Sequence, residues 1–417
     1  NQGQYEKAEK YFEKSLNIQK KISPKDKTSW ITALLNLGGI YEDLYYYYYQ
    51  DYGKYSGYLK KAKTTKLDAY KLAKKYLNED DDRLPTTINN LGLFFSNVGN
   101  NKKAIKFYKE AILILRKNLG EKHPELAITL NNLSLAQLDI NEYEKALDNA
   151  KKALEIFTEF YGLTHPDTSL TLNNIAGIYR ELGENEKANA FARKGMEIEF
   201  RLIQQEAPFL VQDERLDYVE SFGYGPDMAY SQALHSSSGL ELAFFVRLNR
   251  QGLLEDIERK QSQLIKLSEN NLSIVKKLRQ ITNKLSSTVI TDDERYELVL
   301  QRDLLERKIY RILPKINSQI VDANIISKKL PPKSILIEFQ KYYPHKPLSK
   351  PEEIWGDPRY IALLLYDDGK SKSFDLGLAE PIELKIREAL RASEEMLINA
   401  QDLWNEVGKL IIAPLEN

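Results

Sequence analysis

The chain contains no cysteine, and that one absence removes several chemistries at once. No disulfide, thiolate zinc site or cysteine nucleophile can be built from its 417 residues. Histidine occurs only at positions 123, 165, 235 and 345. Excess charge is lacking too: 60 Lys and Arg balance 60 Asp and Glu, so no global field draws nucleic acid or a membrane surface. No apolar run approaches the ~20 residues needed to span a bilayer. Asn1 to Lys21 has neither the basic start nor the apolar core of a signal peptide. A cytoplasmic protein without membrane contact, metal or cofactor is the expectation. Charged residues still make up 29% of the chain, which fits helices with wet outer faces.

What the chain has is a period. Asn89-Asn90-Leu91, Asn131-Asn132-Leu133 and Asn173-Asn174-Ile175 recur every 42 residues. So do Ala62, Ala104, Ala146 and Ala188, and again Ala69, Ala111, Ala153 and Gly195. Such a period means stacked units, none able to bury its apolar face alone, which together make a long binding surface. Each unit reads as two helices: Leu126, Leu130, Leu133, Gln137 and Ile140 form one stripe, and Tyr143, Ala146, Leu147, Ala150, Ala153 and Leu154 the next. Small residues at 146 and 153 let the two helices approach. Gly99 and Gly183 stand where a first helix must end. Between units, Leu119-Gly120-Glu121-Lys122-His123-Pro124 and Tyr161-Gly162-Leu163-Thr164-His165-Pro166 are punctuation. The glycine closes one helix, proline opens the next, and the histidine before it is pushed to extended geometry. The paired histidines read as repeated loop residues rather than a metal or pH site.

The series Gly-x-Tyr-x-x-Ala, Ala-Leu-x-Ile, Leu-Gly-x-x-His-Pro and Leu-Asn-Asn-Leu resembles the long tetratricopeptide repeats of kinesin light chain. The likeness is close over 84–200 and decays over 1–83, where Ser23-Pro24-Lys25 and Asp80-Asp81-Asp82 replace the Gly-x-x-His-Pro turn. The resemblance implies an α-solenoid that binds extended peptides in the groove lined by the first helices. An amide side chain offers donors and an acceptor, so a ladder of them suits a peptide backbone of any sequence. Asn90, Asn132 and Asn174 are then the first candidates for peptide binding, with Asn89, Asn131 and Asn173 beside them and Asn36 as a decayed equivalent. A second reading stands next to this one: one asparagine of each pair bridges neighbouring helices.

Between the first two units the spacing grows from 42 to 54 residues (Ala8 to Ala62), and nine of the 26 tyrosines lie between Tyr41 and Tyr58. Either these rings form an interface, or both helices of the unit are longer by about a turn and a half and the rings pack on one another. After Gln205 the asparagine signature stops. Ser236-Ser237-Ser238-Gly239 reads as a turn or cap. A heptad then runs through Leu253, Ile257, Leu264, Leu267, Ile274, Leu278, Ile281 and Leu285, and a second arm through Leu298, Leu305, Ile309 and Ile312. Residues 259–284 are basic and 292–308 acidic, so an antiparallel hairpin is expected to lay one arm on the other. Nucleic acid is disfavoured as a partner of the basic arm, which lacks interleaved aromatics.

Beyond residue 321 the period becomes that of strands. Ser334-Ile335-Leu336-Ile337-Glu338-Phe339 and Tyr360 to Tyr366 are apolar runs; Asp367-Asp368-Gly369-Lys370 is a hairpin turn, and Ser371 to Gly377 returns from it. Helices follow from Glu380 and from Gln401. This order, with Leu410-Ile411-Ile412-Ala413-Pro414-Leu415 after it, resembles the opening of the caspase-like CHAT domain that follows tetratricopeptide arrays in many bacterial proteins. That resemblance implies a histidine and a cysteine on later strands, and nothing in 1–417 matches either; His345 lies in a loop before the second strand. The expected fold class is mainly α: a tetratricopeptide solenoid over 1–205, a helical linker and hairpin over 206–320, and a partial α/β, caspase-like domain over 321–417. The opening at Gly3-Gln4-Tyr5 in mid-unit and the stop at Asn417 read as a piece of a longer protein. The expected function is a non-catalytic interaction scaffold and regulatory region of a caspase-like peptidase, binding a protein or peptide in its groove or the missing C-terminal domain of the same protein. A pure adaptor with a degenerate tail is the alternative.

Overall fold

The computed structural model describes residues 2–23, 25–48, 52–223, 225–250, 253–267, 272–285, 290–311, 320–345 and 355–416. Seven helices open the chain: α1 (Gln2–Ile22), α2 (Lys27–Tyr47), α3 (Tyr52–Tyr76), α4 (Arg83–Asn97), α5 (Asn101–Leu119), α6 (Pro124–Leu138) and α7 (Tyr143–Tyr161). Their boundaries follow from local chemistry. Gly99, Gly120 and Gly162 take φ of 74°, 83° and 82°, a conformation only glycine adopts without strain, and each ends a helix. His123 sits extended (φ −83°, ψ 136°) before Pro124 at the first helical position. Consecutive helices pack because their contact positions are small. Ala62, Ala69, Ala104, Ala111, Ala146 and Ala153 are fully buried, and around them Leu91, Phe94, Tyr108, Leu115, Leu126, Leu130 and Phe157 share one core. At Gly92 a Cβ would lie 2.8 Å from the Tyr108 ring, so glycine is required there.

The tyrosine-rich stretch is an internal packing device. α2 and α3 run for 21 and 25 residues against 15 and 19 for α4 and α5, so each is longer by about a turn and a half. Glu6, Glu9 and Glu13 share one face of α1 and accept hydrogen bonds from the phenols of Tyr48 (2.5 Å), Tyr58 (3.1 Å) and Tyr41 (2.7 Å). The rings of Tyr48 and Tyr58 stack at 5.7 Å. Tyr41, Tyr45 and Tyr48 are buried, whereas Tyr46 and Tyr47 stay about half exposed; Tyr49 lies outside the described residues.

Contacts gather the chain into two units, residues 1–163 with 177–182 and residues 164–176 with 183–417. Helix α8 (Pro166–Glu181) is divided between them. In the second unit α9 (Asn185–Glu206) leads through a 3-10 turn at Ala207–Phe209 to α10 (Gln212–Glu220), α11 (Gly225–Gln232) and α12 (Ser237–Arg250). Arg215 of α10 is almost fully buried. It donates to the carbonyls of Ala207 and Leu210 and to Gln261 and Glu258 of α13 (Leu253–Leu267).

The expected hairpin is present in its distal part. α14 (Leu272–Leu285) packs on α15 (Asp292–Tyr310), and the short connection makes them antiparallel. Val275, Ile281, Leu305 and Ile309 are the buried seam. Residues 268–271, Ile312 and the side chains of Leu264 and Leu267 lie outside the described residues. Among the described residues, α15 pairs Arg302 with Asp303 within the helix and Arg307 with Glu214 of α10. Across the turn Arg295 donates to the Leu285 carbonyl.

After α16 (Ala323–Ser327), strands β1 (Ile335–Tyr342), β2 (Arg359–Tyr366) and β3 (Ser371–Leu378) form an antiparallel sheet in the order β1-β2-β3. The turn bears Gly369 at φ 86°. Alternate residues Ile361, Leu363 and Leu365 join Tyr342 in a core with Phe200 and Ile203 of α9 and Phe244 and Phe245 of α12. Helices α17 (Ala379–Glu394) and α18 (Ala400–Ile411) follow, with a 3-10 turn at Ala413–Leu415 after them.

Two expected outcomes test this packing. Gly195 occupies the place of the repeated alanine, but a Cβ there would overlap Asn173 Oδ1 and lie 3.2 Å from the Ser169 carbonyl. Restoring the repeat residue with Gly195→Ala should therefore destabilise the fold by about 1–3 kcal/mol in urea unfolding; a gain in stability would refute the contact. Burial first, then the hydrogen bond to Glu9, pushes the Tyr58 phenol up from 10.0 to about 12. A raised phenol contributes stability that is complete below its ordinary pKa and lost as pH climbs through the raised one. Between pH 10.0 and about 12, Tyr58→Phe should lose less helical circular dichroism than the parent. Superposable profiles would show that the bond contributes nothing.

Candidate peptide-binding face

The paired asparagines are adjacent on their helices, so their side chains diverge by about 100°, and the α6 pair divides. In the first unit Asn131 is 5% exposed, turned into the helix pair. Asn89, its counterpart on α4, is half-buried and accepts a hydrogen bond from Asn132 Nδ2 at 3.2 Å. The second members face the surface: Asn90 and Asn132 are half-buried and Asn36 is exposed. One turn before each stands an exposed residue, Thr32, Thr86 or Ile128. Apart from its ends, α6 shows solvent little more than a narrow stripe of Glu125, Ile128, Asn132 and Leu135. Pro85, Thr86, Asn89, Asn90, Glu125 and Ile128 line a hollow of about 240 Å³ over α4 and α6. Its wall is amide, hydroxyl and aliphatic, with Glu125 the one carboxylate.

In the second unit Asn173 is tied down. Its Nδ2 donates to Glu199 at 2.6 Å, and Ser169 donates to the same carboxylate oxygen at 3.0 Å. Glu199 is 3% exposed; burial raises its pKa while the two hydrogen bonds act against that rise. Asn174 is half-buried, and Leu170, one turn earlier, is 53% exposed. The exposed residue four before the second asparagine (Thr86, Ile128, Leu170) is absent from the sequence-based site. The signal was available, since it recurs with the same 42-residue period on the same helical face.

Other candidates resolve into structure. Nδ1 of His123 and of His165 accepts the backbone N–H of Glu125 (3.3 Å) and Asp167 (3.2 Å), so both histidines cap helices. Ser236 accepts from the Gly239 N–H at the start of α12, as a cap does. The backbone N–H of His345 donates to Ser231, and its ring meets Trp355 edge-on. A larger hollow, about 560 Å³, lies between α5 and α7 over Ile112, Leu130 and Leu133. None of the paired asparagines lines it, and charged groups in its wall are already engaged, Arg116 with Glu121 and Asp148 with Lys152. Among the described residues no group of three or more His, Asp or Glu side chains could hold a metal, and no helix is long and apolar enough to cross a membrane.

Family models described as tetratricopeptide repeat match residues 83–159, 142–198 and 1–22. Residues 83–198 are tetratricopeptide repeats. Among solved structures the chain is similar to BtubC (BKLC) from P. vanneervenii, with 23% identity and a TM-score of 0.41 over 47% of this chain and 74% of that one. It is also similar to a Podosopora anserina putative kinesin light chain with nearly identical TPR-like repeats (16% identity, TM-score 0.39, 48% and 90% covered). A third is the Rap conjugation gene regulator of the plasmid pLS20, in complex with the Phr* peptide (13%, TM-score 0.39, 76% and 73% covered). No curated protein matches the chain.

The division of the asparagine pairs is testable by stability alone. Asn131→Ala should cost about 1–3 kcal/mol, since it removes a buried polar group from its partners. Asn90→Ala, at the surface, should stay within about 0.5 kcal/mol of the parent. Equal losses at the two positions would refute the division.

Proposed function

We propose that the repeats are a protein-interaction scaffold whose first-helix face takes an extended segment of a partner. The observation that carries this reading is the stripe on α2, α4 and α6, where the second asparagine and the residue one turn before it stay at the surface in each unit: Thr32 with Asn36, Thr86 with Asn90, Ile128 with Asn132. An amide can donate to a backbone carbonyl and accept from a backbone N–H, whereas Ile128 and Leu93 offer apolar surface to alternate side chains of an extended segment. In the second unit Asn174 and Leu170 occupy the same repeat positions. Asn131 and Asn173 are given to the scaffold itself, and Asn89 acts by orienting Asn132.

The narrower part of the reading is that this scaffold serves as the regulatory region of a caspase-like peptidase. It is supported by the antiparallel β1–β2–β3 meander followed by α17 and α18, at the residues that resemble the opening of a CHAT domain. The repeats would then sense a partner on behalf of catalytic groups that residues 1–417 do not contain. A non-catalytic adaptor is the second reading, favoured by the absence of cysteine.

The test is a peptide-array selection followed by titration of the best binder. Asn90→Ala with Asn132→Ala should weaken binding at least about tenfold, because each lost backbone hydrogen bond costs about 1–3 kcal/mol, with little dependence on salt. The melting temperature should not move. Unchanged affinity in the double variant would remove these residues from the site.

A further inference from the structure

Helix α15 has two apolar faces. One carries Leu298, Leu305 and Ile309 and packs against α14. The other carries Tyr296, Leu300 and Leu304, which are 64%, 46% and 55% exposed. Residues four apart lie above one another on a helix, so these three make a continuous stripe, on the side of α15 away from its buried seam. Single exposed leucines need no explanation, but three large side chains in register form a surface that water solvates poorly. On α14 the outward positions are polar instead: Lys276, Gln280 and Asn283 are all exposed. Among the described residues the hairpin therefore presents one apolar outer surface, and it belongs to α15.

The order of charge along α15 says what fits it. Its first two turns contain Asp292, Asp293, Glu294 and Glu297 against Arg295, and its end contains Arg307, Lys308 and Arg311 after Asp303 and Glu306. We propose that the stripe is a self-association surface, on which α15 of a second copy packs antiparallel about a two-fold axis at Leu300. That register sets Tyr296 against Leu304 of the second copy. It also runs the acidic start of one helix beside the basic end of the other, with Glu297 level with Asp303 of the second copy between them. A parallel arrangement would bring like charges together. The antiparallel arrangement also aligns the helix dipoles favourably. A foreign helix would need the same leucine spacing and charge order, which this chain supplies to itself. A closed two-fold contact uses one patch twice, and two hairpins joined this way make a layer of four helices in the order α14-α15-α15-α14. Arg307 already pairs with Glu214 of its own chain, but both side chains remain over two-fifths exposed, as suits a residue at the rim of the contact.

The absence of cysteine gives a direct test. Sedimentation of the full chain at micromolar concentration should show a dimer. Leu300→Glu with Leu304→Glu should weaken that dimer by at least about 100-fold, because carboxylates would be buried against one another, with circular dichroism unchanged. Leu300→Cys should close into a disulfide-linked dimer on mild oxidation, whereas Gln280→Cys, on the exposed face of α14, should not. The cysteine pair keeps the test valid if the double glutamate variant fails to fold. A monomeric parent chain, a dimer indifferent to the glutamates, or equal crosslinking at 280 and 300 would each overturn the proposal.

Discussion

The close approach of the two helices within each repeat is the constraint on which the rest depends. Fully buried alanines at the repeated positions, and glycine at 92 and 195, bring backbones near enough that the rotation of each helix about its axis is fixed. Once that rotation is fixed, every other position has an assigned direction. Leu91 and Leu133 go to the core, Asn131 goes inward beside them, and Asn90 and Asn132 are left at the surface. The candidate peptide-binding face is thus a by-product of helix packing; it is whatever the core did not consume.

Polar groups that packing buries are then met by short-range partners. His123 and His165 satisfy helix N–H groups that would otherwise lack acceptors. Glu199 collects Ser169 and Asn173. The carboxylates of α1 gather the tyrosine hydroxyls, so a stretch that looks adhesive in sequence is largely spent inside the fold. The same logic ends the array. A solenoid needs a terminal unit whose outer face is covered, and α9 finds its cover in α12 and the sheet, with which it shares Phe200, Phe245 and Leu363 in one core.

Much of this was legible residue by residue. The 42-residue period, the glycine ends, the proline starts, the extended histidines and the hairpin turn at Gly369 are local features, governed by steric rules that act within a few residues, so the sequence alone determines them. The lengthening of α2 and α3 by a turn and a half each was one of two readings that spacing allowed, and packing chose it. The resemblance put Asn90, Asn132 and Asn174 first, but the two asparagines of a pair are adjacent and identical, and the position of the neighbouring helix is what sets which one faces outward. Gly195 shows the same limit from the other side. By period it is an alanine position, and only the placement of Asn173 and Ser169 in space makes a methyl group there too large. Local chemistry fixes where elements begin, end and turn. Which face of an element is buried is set by what lies against it, and that is a property of the assembled chain.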